Sequence, residues 1–100
     1  MSSYRAPPGT ETNPNKPDIK ICEMTEEMEE EVVNTVLLAN IKYSSDQQLA
    51  SFIKKTLDGK YSPNWHVFVG KSYFGDLIHE PGNFIYLKYR YRYYLIYKTV

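Results

Sequence analysis

Cysteine is almost missing from this 100-residue chain: Cys22 stands alone. No internal disulfide can form, and a reducing compartment suits such a chain. There is one Trp and there are two His residues. A zinc site would need Cys and His clustered at short spacing, and no such cluster occurs. Net charge is absent too, because 12 Lys/Arg balance 12 Asp/Glu. That balance withholds the field which draws proteins to nucleic acid or to membranes. No long apolar run exists, so neither a signal peptide nor a membrane span is expected, and the cytosol is the default location. At 11.7 kDa the chain makes one domain at most, with a thin core of the kind often completed by a partner.

Catalytic signatures are missing as well. Nucleophilic catalysis needs a Ser or Cys within hydrogen-bond reach of a His that a third group orients. Cys22 lies on the N-terminal strand, far in sequence from His66 and His79, and no nucleophile elbow surrounds any Ser. General acid–base groups must converge, and here they do not. The chain is therefore expected to be no enzyme and to carry neither cofactor nor metal. A histidine at an interface is the more useful reading, since imidazole changes charge near neutral pH.

What is present is a clear order of elements. Residues 1–17 hold four of the six prolines with almost nothing apolar, so they read as a flexible tail ahead of a domain at 18–100. Residues 17–22 alternate in period two, a short strand. Thr25 is an N-cap before Glu26, Glu27, Glu29, Glu30 and Glu31, and acidic groups suit a first helical turn. Met28, Val32, Val36 and Ala39, with Val33 and Leu37 beside them, form an apolar stripe that should end near Lys42 and Tyr43. Successive Glu residues project around a helix, so the cluster reads as a solvated face. Ser45 and Gln48 make a capping box for a second helix with Leu49, Phe52, Ile53 and Leu57 inward and Gly59 as its C′ residue.

Strands follow. Trp65, Val67 and Val69 should share one face, with His66 and Phe68 on the other. A strand over residues 73–80 and a turn at Pro81-Gly82-Asn83 come next. Residues 84–87 and 91–97 look like hairpin arms, although their turn lacks Gly. The fold class is α+β, with two helices packed on an antiparallel sheet.

The run from Phe84 to Tyr97 interleaves Tyr with Lys and Arg, and three readings apply. It could be a stacking platform for single-stranded nucleic acid. Cross-strand Tyr pairs also stabilise ordinary sheets. Third, a sheet face of Tyr and Phe on so small a domain suits a peptide-binding or dimer surface. The charge is uneven: residues 1–59 carry six Lys/Arg and ten Asp/Glu, residues 60–100 six and two. Zero net charge disfavours nucleic acid.

Met24-Thr25-Glu26-Glu27-Met28, Ile53-Lys54-Lys55, Lys60-Tyr61-Ser62-Pro63-Asn64-Trp65-His66, Val69-Gly70-Lys71, His79-Glu80 and Asn83-Phe84-Ile85-Tyr86 stand in the order and spacing of one family. From about Ile19 to Lys98 the chain resembles the small dimeric dynein light chains, the peptide-binding hub class. The resemblance implies a strand-exchanged two-fold homodimer, in which residues 73–78 cross to the partner. An extended peptide then adds to the open edge of that strand by β-augmentation, and two parallel grooves clamp two chains.

Carried over by position, the groove would use Asp46, Gln47, Tyr73, Phe74, Gly75, Asp76, Leu77, Ile78, His79, Phe84, Tyr86, Lys88 and Tyr93. The dimer interface would use His66, Lys71, Tyr73 and Leu77. Implied partners are a second copy, a dynein intermediate chain and other proteins through short extended motifs, without membrane, in the cytoplasm and on the microtubule cytoskeleton. An alternative is a dedicated structural subunit of an axonemal or cortical assembly with one partner. The departures cluster on the groove. The usual acid–Lys pair is Asp46-Gln47, and the usual aromatic-Gly-Ser-Tyr is Tyr73-Phe74-Gly75-Asp76. Ile78 replaces a Thr, Lys88 an aromatic, Tyr93 a small residue and Arg90 a hairpin Gly.

Overall fold

The computed structural model describes residues 15–72 and 83–99. Strand β1 (Asp18–Glu23) leads into helices α1 (Glu26–Lys42) and α2 (Asp46–Tyr61), then strands β2 (Trp65–Gly70), β3 (Phe84–Tyr89) and β4 (Arg92–Lys98). All pairings are antiparallel, in the order β1-β3-β4-β2. The strand expected over 73–80 lies outside the described residues.

Local chemistry sets the helix limits. The Thr25 hydroxyl accepts the Met28 N–H at 3.2 Å, and the Ser45 hydroxyl accepts the Gln48 N–H at 3.1 Å. Each bond satisfies a donor that a helix start leaves open. The second helix corrects one expectation. It runs through Gly59 to Tyr61 and stops at Ser62, whose φ is 73°. Glycine suits a left-handed cap but does not compel one, and Ser62 ends the helix instead, at positive φ with an extended ψ of 155°.

One face of the sheet holds the core. Val32, Val36 and Ala39 of α1 and Leu49, Ile53 and Leu57 of α2 have no exposed surface, and neither do Trp65, Ile85, Leu87, Tyr94 and Ile96 of the strands. Val67 and Val69 pack against this cluster beside Trp65, as their alternation implied. Polar bonds lock the layers together. Asn40 Nδ2 donates to the Tyr94 hydroxyl at 2.9 Å, and the Asp58 carboxylate accepts the Trp65 N–H at 2.9 Å. Burial pushes the Tyr94 phenol above its ordinary range.

Three details depart from the simple pattern. Lys20 forms a bulge in β1, so Ile19 opposes Leu87 on the core side while Ile21 opposes Tyr86 on the far side. Strict alternation would have put both on one face. Among the acidic residues of α1, Glu29 is buried at 7 % exposure, because it lies one turn before Val32 on the inward stripe. The β3–β4 hairpin closes through Arg90 and Tyr91, with Arg90 at φ 59°. A primed hairpin turn demands positive φ there, whichever side chain occupies it.

That last point is testable by denaturant unfolding at fixed protein concentration. Arg90→Val should lose about 1 kcal/mol, because a β-branched side chain is strained at positive φ. Arg90→Gly should match or exceed the parent. Equal effects of the two changes would contradict the left-handed turn.

Candidate functional site

The register places three rows of side chains across the sheet face turned away from the helices. The first runs His66, Tyr97, Phe84 and Glu23, the second Phe68, Leu95, Tyr86 and Ile21, the third Gly70, Tyr93, Lys88 and Asp18. Six of these twelve positions carry a ring, His66 included. The His66 and Tyr97 rings stack at 4.9 Å, Phe68 lies 6.2 Å from Tyr97, and Tyr86 stacks on Tyr93 at 6.0 Å. Lys88 holds its ammonium 5.3 Å from the centre of the Tyr93 ring. Cation–π attraction at such half-exposed positions contributes about 0.5–1 kcal/mol.

Exposure across this face is uneven. Phe84 and Tyr86 are each 1 % exposed, while Phe68 on β2 is 49 % exposed. His66 is half-buried, with Nε2 3.1 Å from the Thr99 hydroxyl. β2 pairs only with β4 among the described residues. An edge with unpaired backbone groups and an exposed Phe is a ready template for another strand.

Asp46 and Gln47 lie elsewhere, at the start of α2 on the helix side of the sheet. Arg92 of β4 fastens that helix start, donating from Nε to the Asp46 carboxylate at 2.6 Å and from Nη2 to the Ser44 carbonyl. The Arg92 side chain is 18 % exposed and that of Asp46 42 %, so the pair is shielded on the Arg92 side and open to solvent on the other. Gln48 and Leu49 give their N–H groups to Ser45. The N–H groups of Asp46 and Gln47 therefore keep no acceptor among the described residues, and a peptide side chain could supply one.

Of the groove residues expected from the sequence, Phe84, Tyr86, Lys88 and Tyr93 are brought together on the outer face. Asp46 and Gln47 sit at the α2 start, behind the sheet. Tyr73, Phe74, Gly75, Asp76, Leu77, Ile78 and His79 lie outside the described residues. Lys71 is exposed just beyond β2. Sequence reasoning missed Arg92, and pairing it with Asp46 required knowing that the hairpin folds back to the helix junction. Among the described residues no His/Cys/Asp/Glu group could hold a metal ion, and no helix is long and apolar enough to cross a membrane.

The dynein light chain type 1 family model matches residues 16–99. A Saccharomyces cerevisiae protein, "Dynein light chain 1, cytoplasmic", is 32% identical over 90 residues, which is 90% of this chain and 98% of that protein. The chain belongs to the dynein light chain type 1 family. A Schistosoma mansoni dynein light chain is 37% identical over 81 residues, covering 81% of this chain and 91% of its own. The dynein light chain-like domain of Fasciola hepatica calcium binding protein FhCaBP2 superposes with a TM-score of 0.75 at 20% identity, over 91% of this chain and all of that one. The likeness to that structure concerns the fold. It bears out two helices on an antiparallel sheet as the light chain architecture.

Cys22, weighed above as a nucleophile, packs against the core from β1. Burial, reinforced by the nearby Glu29 carboxylate, pushes its thiol up to about 11. A thiol two units above its ordinary value holds about a hundredfold less thiolate at neutral pH, partly offset by that thiolate's greater nucleophilicity. Alkylation of the native protein at pH 7.5 should run about tenfold slower than that of a free thiol and accelerate as pH rises toward 11. A rate equal to that of the free thiol would contradict this placement.

Proposed function

We propose that this chain is a non-catalytic homodimer that binds extended segments of partner proteins by β-augmentation. It serves the dynein motor on cytoplasmic microtubules as a subunit, with a dynein intermediate chain among its partners, and as a dimerisation hub for others. The observation that carries this reading is β2, an edge strand among the described residues, flanked on the outer face by exposed Phe68 and half-buried His66. Residues 73–78 of a second copy would pair with that edge, and the far side of the added strand would take the peptide. His66 would face its symmetry mate near the two-fold axis, with Lys71, Tyr73 and Leu77 around it. Family membership supports the motor assignment, and the word "cytoplasmic" in the yeast relative's name supports the location.

In the dimer, main-chain hydrogen bonds give affinity and side-chain pockets give specificity. Tyr86 and Phe84 form a packed floor, Lys88 and Tyr93 a more accessible wall, and the open N–H groups of Asp46 and Gln47 meet a polar side chain of the peptide. The groove strand contributes Phe74, Gly75, Asp76, Ile78 and His79. A second reading is favoured by the bond between Arg92 and Asp46, which commits a groove carboxylate to an intramolecular partner. On that reading the chain is a dedicated axonemal or cortical subunit with one partner. A peptide array separates the two, many hits marking a hub and a single hit the dedicated subunit.

Calorimetry with a Thr-Gln-Thr peptide tests the peptide-binding function. Gln47 lacks the expected cation and Ile78 the expected hydroxyl, and each lost hydrogen bond costs about 0.5–1.5 kcal/mol. Binding should be roughly tenfold to a hundredfold weaker than in typical members. Gln47→Lys combined with Ile78→Thr should recover it. No binding by either protein would refute the function, and full affinity in the parent would refute the weakening.

A further inference from the structure

A second concavity lies on the outer side of the helices, at the junction of α1 and α2. It has a volume of about 310 Å³ and is lined by Tyr43, Gln47, Gln48, Ser51, Phe52 and Lys55. The floor is aromatic: the Tyr43 and Phe52 rings meet at 5.6 Å. The rim is cationic. Lys55 lines the depression, and Lys42 holds its ammonium 5.4 Å from the centre of the Phe52 ring. Neither lysine has a carboxylate partner among the described residues. The nearby Asp46 carboxylate is turned to Arg92, so it does not neutralise the rim.

We propose that this depression anchors the flank of a bound partner peptide, taking an apolar side chain followed by an acidic one. The inference rests on the peptide-binding reading above, and it adds a determinant outside the β-augmented core. Two observations select this occupant. Gln47 belongs both to the helix start that meets the peptide and to the wall of the depression, so a chain leaving the groove passes over it. The lining pairs an apolar floor with positive charge that no carboxylate among the described residues balances, which a neutral or basic flank would leave unsatisfied. The apolar side chain covers the Tyr43 and Phe52 rings, and the carboxylate takes the Lys55 and Lys42 ammonium groups.

Anisotropy titrations with two labelled peptides test the proposal. Both share a Thr-Gln-Thr core, flanked at each end by Leu-Glu in one and by Ser-Asn in the other. The Leu-Glu peptide should bind about tenfold tighter, and less so as salt rises, because an apolar anchor and a partly screened ion pair both contribute. Lys55→Glu should cancel or reverse that preference. Ser51→Trp, at an exposed position that the larger ring would plug, should abolish it without involving charge. Equal affinity of the two peptides for the parent, or a preference that survives both substitutions, overturns the anchor alone. Failure of both peptides to bind overturns the anchor together with the peptide-binding function.

Discussion

Trp65 sits without exposed surface between the end of α2 and the sheet, and the Asp58 carboxylate fixes its backbone N–H. The Lys54 ammonium and that same N–H hold the Asp58 carboxyl below its usual range, so the anchor stays ionised. From this joint β2 runs along the margin of the sheet under α2. Its inward residues complete the core, and its outward residues, His66 and Phe68, lie on the face that the helices leave uncovered. Truncating a buried aromatic of this kind costs about 3–5 kcal/mol. The edge proposed to associate is thus held by the contact that stabilises the fold.

A four-stranded sheet has two faces, and two helices cover one. That constraint explains the Tyr-rich run better than nucleic acid does. Ile85, Leu87, Tyr89, Tyr94 and Ile96 go to the helices. Tyr86, Lys88, Tyr93 and Tyr97 go to the far face, where rings stack on each other and Lys88 rests on Tyr93. The basic residues of the run are engaged individually: Lys88 and Arg90 on rings, Arg92 on Asp46. No continuous cationic track remains for a phosphate backbone.

Much of the fold was legible because its signals are local. Thr25 and Ser45 with Gln48 mark helix starts through bonds that span three residues, and the alternation of Trp65, Val67 and Val69 marks a face. The errors came where a local rule was only permissive or where tertiary packing overrode it. Gly59 stayed helical because nothing in its surroundings forced a stop, Glu29 was drawn inward with its stripe, and the Lys20 bulge turned Ile21 away from Ile19. The outer face could be assembled from the resemblance, but the Arg92–Asp46 bond could not. It joins residues 46 positions apart, and only the returned hairpin brings them together. The depression between Tyr43 and Lys55 is likewise a product of how α1 and α2 meet, which neither helix reveals alone.

The central claim is that the open edge of β2 receives a strand from a second copy. Isotope-filtered NMR on a refolded equimolar mixture of labelled and unlabelled chain tests it directly. The account predicts intermolecular NOEs between β2 amides, from Trp65 to Gly70, and residues 73–78 of the other copy, lost in His66→Lys where two permanent charges would meet. A spectrum with only intramolecular NOEs at that edge, from a species of 11.7 kDa, would contradict it.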